Sequence, residues 1–201
     1  MFVQMFTGKI TNRDAVRAVL EGWPSGAGRD AKGWLGSTAG ITDDDQLVAL
    51  ARFESEGAAR ANSGRPEQGA WWESLAVNFA DGASFFESSD VDDDVVGDPG
   101  TAGFVQVMRG RVSDPTRARA LANDGTGIWA RYRPDILASL MLSHDDGEYV
   151  MAIYFTSEAD AREGEKKQPP EELAALIEEM NALDVGEVTY YDLRDPWLSA
   201  P

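Results

Sequence analysis

The sequence predicts an α+β fold built twice over: two tandem β-α-β-β-α-β units, spanning residues 1–89 and 104–201, joined by an acidic linker at 90–103. Three observations carry this. The first is an internal repeat, in which Phe2-Val3-Gln4 with Gly8 recurs as Phe104-Val105-Gln106 with Gly110. The same offset of 102 residues carries Asp43-Asp44 onto Asp145-Asp146, Phe53 onto Phe155, Ser55-Glu56 onto Ser157-Glu158 and Ala59-Arg60 onto Ala161-Arg162. Chance matches scatter over many offsets, whereas these share one and need no gap, so duplication explains them. The second observation is the order of strand-like and helix-like segments, which is the same in both halves. The third is that the leading strands carry apolar groups on both faces, so that both faces must be buried.

Each half opens with a strand, Phe2 to Ile10 and Phe104 to Val112, rich in β-branched, aromatic and Met residues. Phe2 and Phe6 point to one face and Val3 and Met5 to the other. A helix follows: Thr11 with Asp14 reads as a capping box, and Ser113-Asp114 before Pro115 places a proline in the first helical turn. Trp34 to Ile41 with Gln46 to Phe53, and Ile136 to His144 with Glu148 to Phe155, then form hairpins. Their turns, Thr42 to Asp45 and Asp145-Asp146-Gly147, supply the side-chain acceptors and positive φ that tight turns need.

A second helical region starts at Ser55 and at Ser157, where Asp160 completes a capping box. It restarts after Pro66 and after Pro169-Pro170, with helical spacing of Trp72, Leu75, Phe79 and of Leu173, Leu176, Ile177, Met180. A last strand closes each half at Ser84 to Glu87 and Glu187 to Asp192. This order is the ferredoxin-like split unit, with both helices on one face of an antiparallel sheet. The other face, apolar and bare in a lone half, calls for a cover, and the second unit is the expected one: a monomeric pseudo-dimer packed sheet to sheet, with a further homodimer left open.

Composition narrows the function. A formal charge of −17, from 35 acidic and 18 basic residues, opposes phosphate backbones and anionic lipid surfaces, so nucleic acid and membrane are not expected partners. A small aromatic or apolar molecule fits better. No run approaches the roughly 18 apolar residues of a membrane span, and a cytoplasmic location is expected. Cysteine is absent, which excludes disulfides, thiolate catalysis and cysteine-bound metals. The one histidine, His144, leaves no material for a histidine triad or histidine metal site. The acidic runs Asp43 to Asp45 and Asp90 to Asp94 lack the alternating ligand spacing of a calcium loop and read as solvated surface. No metal is expected.

The unit order, the double-sided strands and the segment Phe53-Glu54-Ser55-Glu56 to Arg60-Ala61-Asn62 resemble the dimeric α/β-barrel superfamily, in particular its antibiotic biosynthesis monooxygenase-like branch. The resemblance covers both halves. It implies an intramolecular barrel in which each unit has a small-molecule cavity between its helices and its sheet. It also implies cofactor-independent oxygenation of an aromatic substrate, since an electron-rich phenolate can itself reduce oxygen once the protein positions it and excludes water. No cofactor is then required.

Carried onto this chain, the resemblance makes Asn62 and Trp72 the candidate catalytic residues, with Trp34, Trp71, Gln4 and Phe53 as candidate ligand contacts. Trp72 lies near the place where haem-degrading relatives carry an iron-binding histidine, and its identity counts against haem chemistry. At the common offset Asn62, Trp71 and Trp72 meet Gly164, Leu173 and Ala174, which puts the expected site in the first half. Each candidate has a structural reading beside the functional one. Trp71 and Trp72 suit a helix core with Leu75 and Phe79, Asn62 suits a helix C-cap before Gly64, and Gln4 with Gln106 suits hydrogen bonds between the halves as well as two cavities. Trp197 is expected to pin the C-terminal tail. The alternative function is a non-catalytic ligand-binding or stress-related α/β-barrel protein.

Overall fold

The computed structural model describes residues 1–201 with every side chain except that of Thr126. The protein is α+β and divides into two compact units: Met1–Val91 together with Leu193–Pro201, and Asp92–Asp192. The first contains β1 (Phe2–Lys9), α1 (Arg13–Gly22), a 3-10 turn (Ala27–Asp30), β2 (Trp34–Ile41), β3 (Gln46–Phe53), α2 (Glu56–Ser63), α3 (Pro66–Ala76) and β4 (Ser84–Ser88). After β5 (Val91–Val95) and a 3-10 turn at Pro99–Thr101, the second contains β6 (Phe104–Arg111), α4 (Pro115–Tyr132), β7 (Ile136–Ser143), β8 (Glu148–Phe155), α5 (Glu158–Glu165), α6 (Glu171–Asn181) and β9 (Thr189–Leu193). The chain closes with β10 (Trp197–Ser199).

Each unit has a five-stranded sheet, ordered β10-β2-β3-β1-β4 in the first and β5-β7-β8-β6-β9 in the second. Four strands of each follow the expected ferredoxin-like pattern, and the fifth was not expected. Residues 90–103 are more than a linker, because Val91–Val95 is the edge strand beside β7. Its run of aspartates reads as loop in sequence. At a sheet edge those charges are an asset, since they discourage pairing with a further strand. The C-terminal segment likewise adds β10 to the first sheet, with Trp197 opposite Ala39 and Ser199 opposite Ser37.

Register follows the hydrophobic pattern. In β1, Phe2 and Phe6 face the helices, where Phe2 joins Trp23, Trp34, Phe53 and Ala59, and Phe6 joins Ile10, Val16, Leu47 and Leu75. Val3, Met5, Val48 and Leu50, on the opposite face of β1 and β3, are also buried. The cap of α1 is Asn12, not Thr11: its side chain accepts from the Ala15 amide, as Asp114 accepts from Arg117 in α4. Ser55 and Ser157 cap α2 and α5 as expected. The two hairpin turns use one conformation with different residues, since Asp45 (φ 65°) stands where Gly147 (φ 89°) stands in the repeat.

The repeat itself needs one correction. The offset of 102 holds from β1 to the end of α2 and α5, but α6 and β9 follow α3 and β4 at an offset of 105. Two residues separate α2 from α3, whereas Lys166 to Pro170 separate α5 from α6. The chain leaves the helix after the Lys166 cap, and the paired Pro169-Pro170 bar its continuation, so that α6 starts three residues later than the common offset places it. The structural counterparts of Trp71 and Trp72 are therefore Leu176 and Ile177, and that of Glu87 is Asp192.

Candidate functional site

The first unit has a half-open cavity of about 360 Å³ between the helix side of its sheet and the helices, within the range of small-molecule sites. The floor comes from alternate residues of β1 and β3, including Gln4, Phe6, Ala49 and Ala51, and the far wall from α2 and α3. Small residues at Ala39, Ala49 and Ala51 leave room that larger side chains would fill. The surrounding rings make the interior apolar and flat-sided.

Five of the six candidate side chains come together here: Asn62, Trp71, Trp72, Gln4 and Phe53 all line the cavity. Asn62 sits in the last turn of α2, is 5% exposed, and its side-chain oxygen has no hydrogen-bond partner among the described residues. Trp72 packs edge-on to Phe6, with centroids 5.3 Å apart and planes at 87°, and also meets Phe85 and Phe79. Trp71 Nε1 donates to the Val19 carbonyl at 3.0 Å and ties α3 to α1. Both tryptophans thus have packing roles as well as a cavity face.

Trp34 is the exception. It lies behind the wall, 8% exposed, with its Nε1 donating to Ser37 Oγ at 3.0 Å and its ring edge against Trp23 at 4.9 Å. In its place Trp23 lines the cavity. Pro24 ends α1 early, whereas α4 runs on to Tyr132, and Trp23 at that break is buried with its Nε1 donating to Gln68 Oε1 at 2.8 Å. The Trp-Pro pair just past a helical pattern is the sequence signal that marks it.

Gln4 bonds within its own unit. Its Nε2 donates to Glu87 Oε1 at 2.6 Å, and Arg60 Nη2 donates to Glu87 Oε2 at 2.6 Å while the guanidinium lies 5.6 Å above the Phe2 ring. Burial pushes the Glu87 carboxyl up, but the hydrogen bonds from Arg60 and Gln4 outweigh it and hold the group below its usual range. Glu87 is therefore an ionised, fully engaged acceptor at neutral pH, unsuited to donating a proton. The second unit repeats the set: Gln106 Nε2 donates to Asp192 Oδ1 at 2.9 Å, and Arg162 pairs with Asp192 and lies 5.1 Å above Phe104. Only the acid differs, and the shifted offset hides it from a gap-free alignment.

The position equivalent to Asn62 is where the units part. It is Gly164, and a Cβ there would meet Arg133 Nε at 2.3 Å. Arg133 pairs with Asp135 at 2.7 Å, both 8% exposed, donates to the Ala161 carbonyl at 3.2 Å, and covers Phe155, the counterpart of Phe53. The first unit has Ala31 and Gly33 at the equivalent positions. A buried ion pair stands where the first unit keeps small residues.

Among the described residues, no three His, Asp or Glu side chains form a metal-holding group, and no helix is long and apolar enough to cross a membrane. No protein-family model matches the chain, and no curated protein matches it. Solved structures do. A "putative monooxygenase" of Fusobacterium nucleatum subsp. nucleatum is 9% identical with a TM-score of 0.75, covering 99% of this chain and 94% of that one. A "putative monooxygenase" of Lactobacillus acidophilus NCFM is 11% identical with a TM-score of 0.70, covering 98% of both chains. An anthrone oxidase-like protein is 13% identical with a TM-score of 0.68, covering 98% of this chain and 92% of that one. The likeness runs through both units and is one of fold: the chain shares the duplicated ferredoxin-like α+β fold of these structures.

Proposed function

We propose that the first unit binds a flat aromatic small molecule in its cavity and acts on it as a cofactor-independent monooxygenase. The observation that carries this reading is the convergence of Asn62, Trp71, Trp72, Gln4 and Phe53 on one cavity in which the Asn62 carbonyl oxygen lacks a partner. A buried acceptor without a donor is costly, and a substrate hydroxyl would satisfy it. An electron-rich aromatic molecule with one hydroxyl donating to Asn62 Oδ1 and another ionised, its ring packed against the indoles, supplies the reducing power for oxygen itself, and its binding displaces water from the aromatic wall. Trp72 then sets the orientation of the ring.

Oxygen uptake with hydroxylated anthracyclic substrates tests this. Turnover by the intact protein, reduced on the order of a hundredfold in Asn62→Ala and more modestly in Trp72→Phe, is the expected result, because a positioned polar contact to the reacting group carries a factor of that size. Absence of uptake across a broad panel sinks the enzymatic reading.

One observation favours a second, non-catalytic reading as a ligand-binding protein. Trp71 and Trp72 are tied into the fold by the Val19 bond and the Phe6 contact, and the charged residues Arg60 and Glu87 are locked to each other. Binding of aromatic ligands without oxygen consumption would select it.

A further inference from the structure

The C-terminal strand also reaches the cavity. Trp197 and Ser199 of β10 line it, and their partners across the strand pair, Ala39 and Ser37, line it too, so the register of β10 on β2 sets which side of the strand faces inward. Arg17 holds the indole from α1: its guanidinium lies 5.3 Å from the Trp197 ring centroid, and its Nη1 pairs with Asp195 at 2.8 Å, two residues earlier in the chain.

The indole N–H of Trp197 has no acceptor. Among the described residues, four buried side-chain N or O atoms lack a partner: Arg52 Nε, Asn62 Oδ1, Arg65 Nε and Trp197 Nε1. Two of these, Asn62 Oδ1 and Trp197 Nε1, belong to residues that line the cavity. An arginine retains other N–H groups to bond, but an indole has a single polar atom, a donor only, so the whole hydrogen-bonding capacity of Trp197 is unmet. The neighbouring indoles differ: Trp23, Trp34 and Trp71 donate to Gln68, Ser37 and Val19. Native proteins rarely leave a buried N–H unbonded without a functional reason.

We infer that the indole N–H of Trp197 donates a hydrogen bond to an acceptor oxygen of the ligand, making it a specificity-determining residue for flat aromatic molecules that carry a ketone, quinone or phenolate oxygen. The inference rests on the reading of the cavity as a ligand site, and it deepens that reading by naming the group recognised. Asn62 takes a hydroxyl, Trp197 takes an acceptor, and a ligand with both satisfies both orphaned groups. No cysteine is present to trap a quinone covalently.

The test uses the full chain and two probes that differ by one carbonyl, 9-fluorenone and fluorene, with binding read by tryptophan fluorescence and calorimetry, so turnover is not needed. The intact protein should prefer fluorenone by roughly tenfold, the factor that one hydrogen bond of ordinary net strength carries. Trp197→Phe should abolish the preference while keeping fluorene affinity within about twofold, because the ring contact survives. An unchanged preference in Trp197→Phe, or equal binding of the two probes by the intact protein, overturns the assignment while leaving the cavity a ligand site. Failure of the intact protein to bind either probe overturns both. Proton resonances of the intact protein supply a readout independent of the variant's folding. The Trp197 indole N–H should move downfield with fluorenone and not with fluorene, and a stationary signal overturns the assignment.

Discussion

The two units share their scaffold and diverge at several buried positions, of which the sharpest contrast is a single residue on the second helical region. In the first unit that position is Asn62, a polar group left unsatisfied beside a cavity; in the second it is Gly164, packed under a buried Arg133–Asp135 pair. The strand pairs, the serine caps and the Gln-acid-Arg set recur in both. A residue kept in both units marks what the fold needs. An orphaned acceptor is a feature that stability alone does not favour.

The largest test of this contrast is Arg133→Ala. It leaves Asp135 as an uncompensated charge in an interior site and should cost about 3–5 kcal/mol in denaturant unfolding. Adding Asp135→Gly, which recreates the first unit's pattern of Ala31 and Gly33, should recover part of that loss. Next comes the Asn62 and Gly164 position itself. Gly164→Ala drives a Cβ into the Arg133 side chain and should destabilise by about 1–3 kcal/mol. Asn62→Ala removes an unsatisfied group, so its thermal midpoint should stay the same or rise while aromatic binding falls. A large loss of stability in Asn62→Ala would make that residue structural and erase the difference between the units.

Smaller effects test the shared scaffold. Ser55→Ala and Ser157→Ala each remove an N-cap bond and should cost about 1 kcal/mol apiece, nearly equal in the two units. Unequal costs would mean that the repeat is sequence similarity without equivalent energetics. The smallest effect is a pH dependence at Glu87. Its carboxyl lies below the usual value in the folded protein, so it binds a proton more readily when unfolded. Its contribution to stability is present above the ordinary glutamate range and is lost as pH falls through the lower folded value. Stability of Glu87→Gln should consequently fall less steeply than that of the intact protein as pH drops below about 4.5, followed by unfolding at a series of acid pH values.

Much of the fold was legible in residue order because local rules and tertiary packing agree there. The apolar residues on both faces of β1, the serine caps of α2 and α5 and the turn at Asp145-Asp146-Gly147 each have one physical solution, which the structure adopts. Signals failed where local chemistry pointed elsewhere. An aspartate run reads as solvated loop, so β5 was invisible until its pairing beside β7 was seen, and a three-residue tail strand has no periodicity to detect. The offset change after α5 was masked by the strength of the matches before it. Within the site, Trp72 and Asn62 carried helix-position cues, whereas Arg60 with Glu87 and Trp23 with Gln68 are partnerships across 27 and 45 residues that no spacing rule announces.

What the sequence by itself determined was the duplication, the β-α-β-β-α-β order and the asymmetry between Asn62 and Gly164, because periodicity, caps and repeated residues are properties of the chain alone. Only the tertiary structure decided that Trp23 faces the cavity while Trp34 supports it from behind, that Arg133 lies against Gly164, and that Trp197 closes one wall with its N–H unpaired. Those outcomes depend on which side chains meet across strands and helices distant in sequence, where volume, charge and hydrogen-bond partners are settled by packing and not by neighbours along the chain.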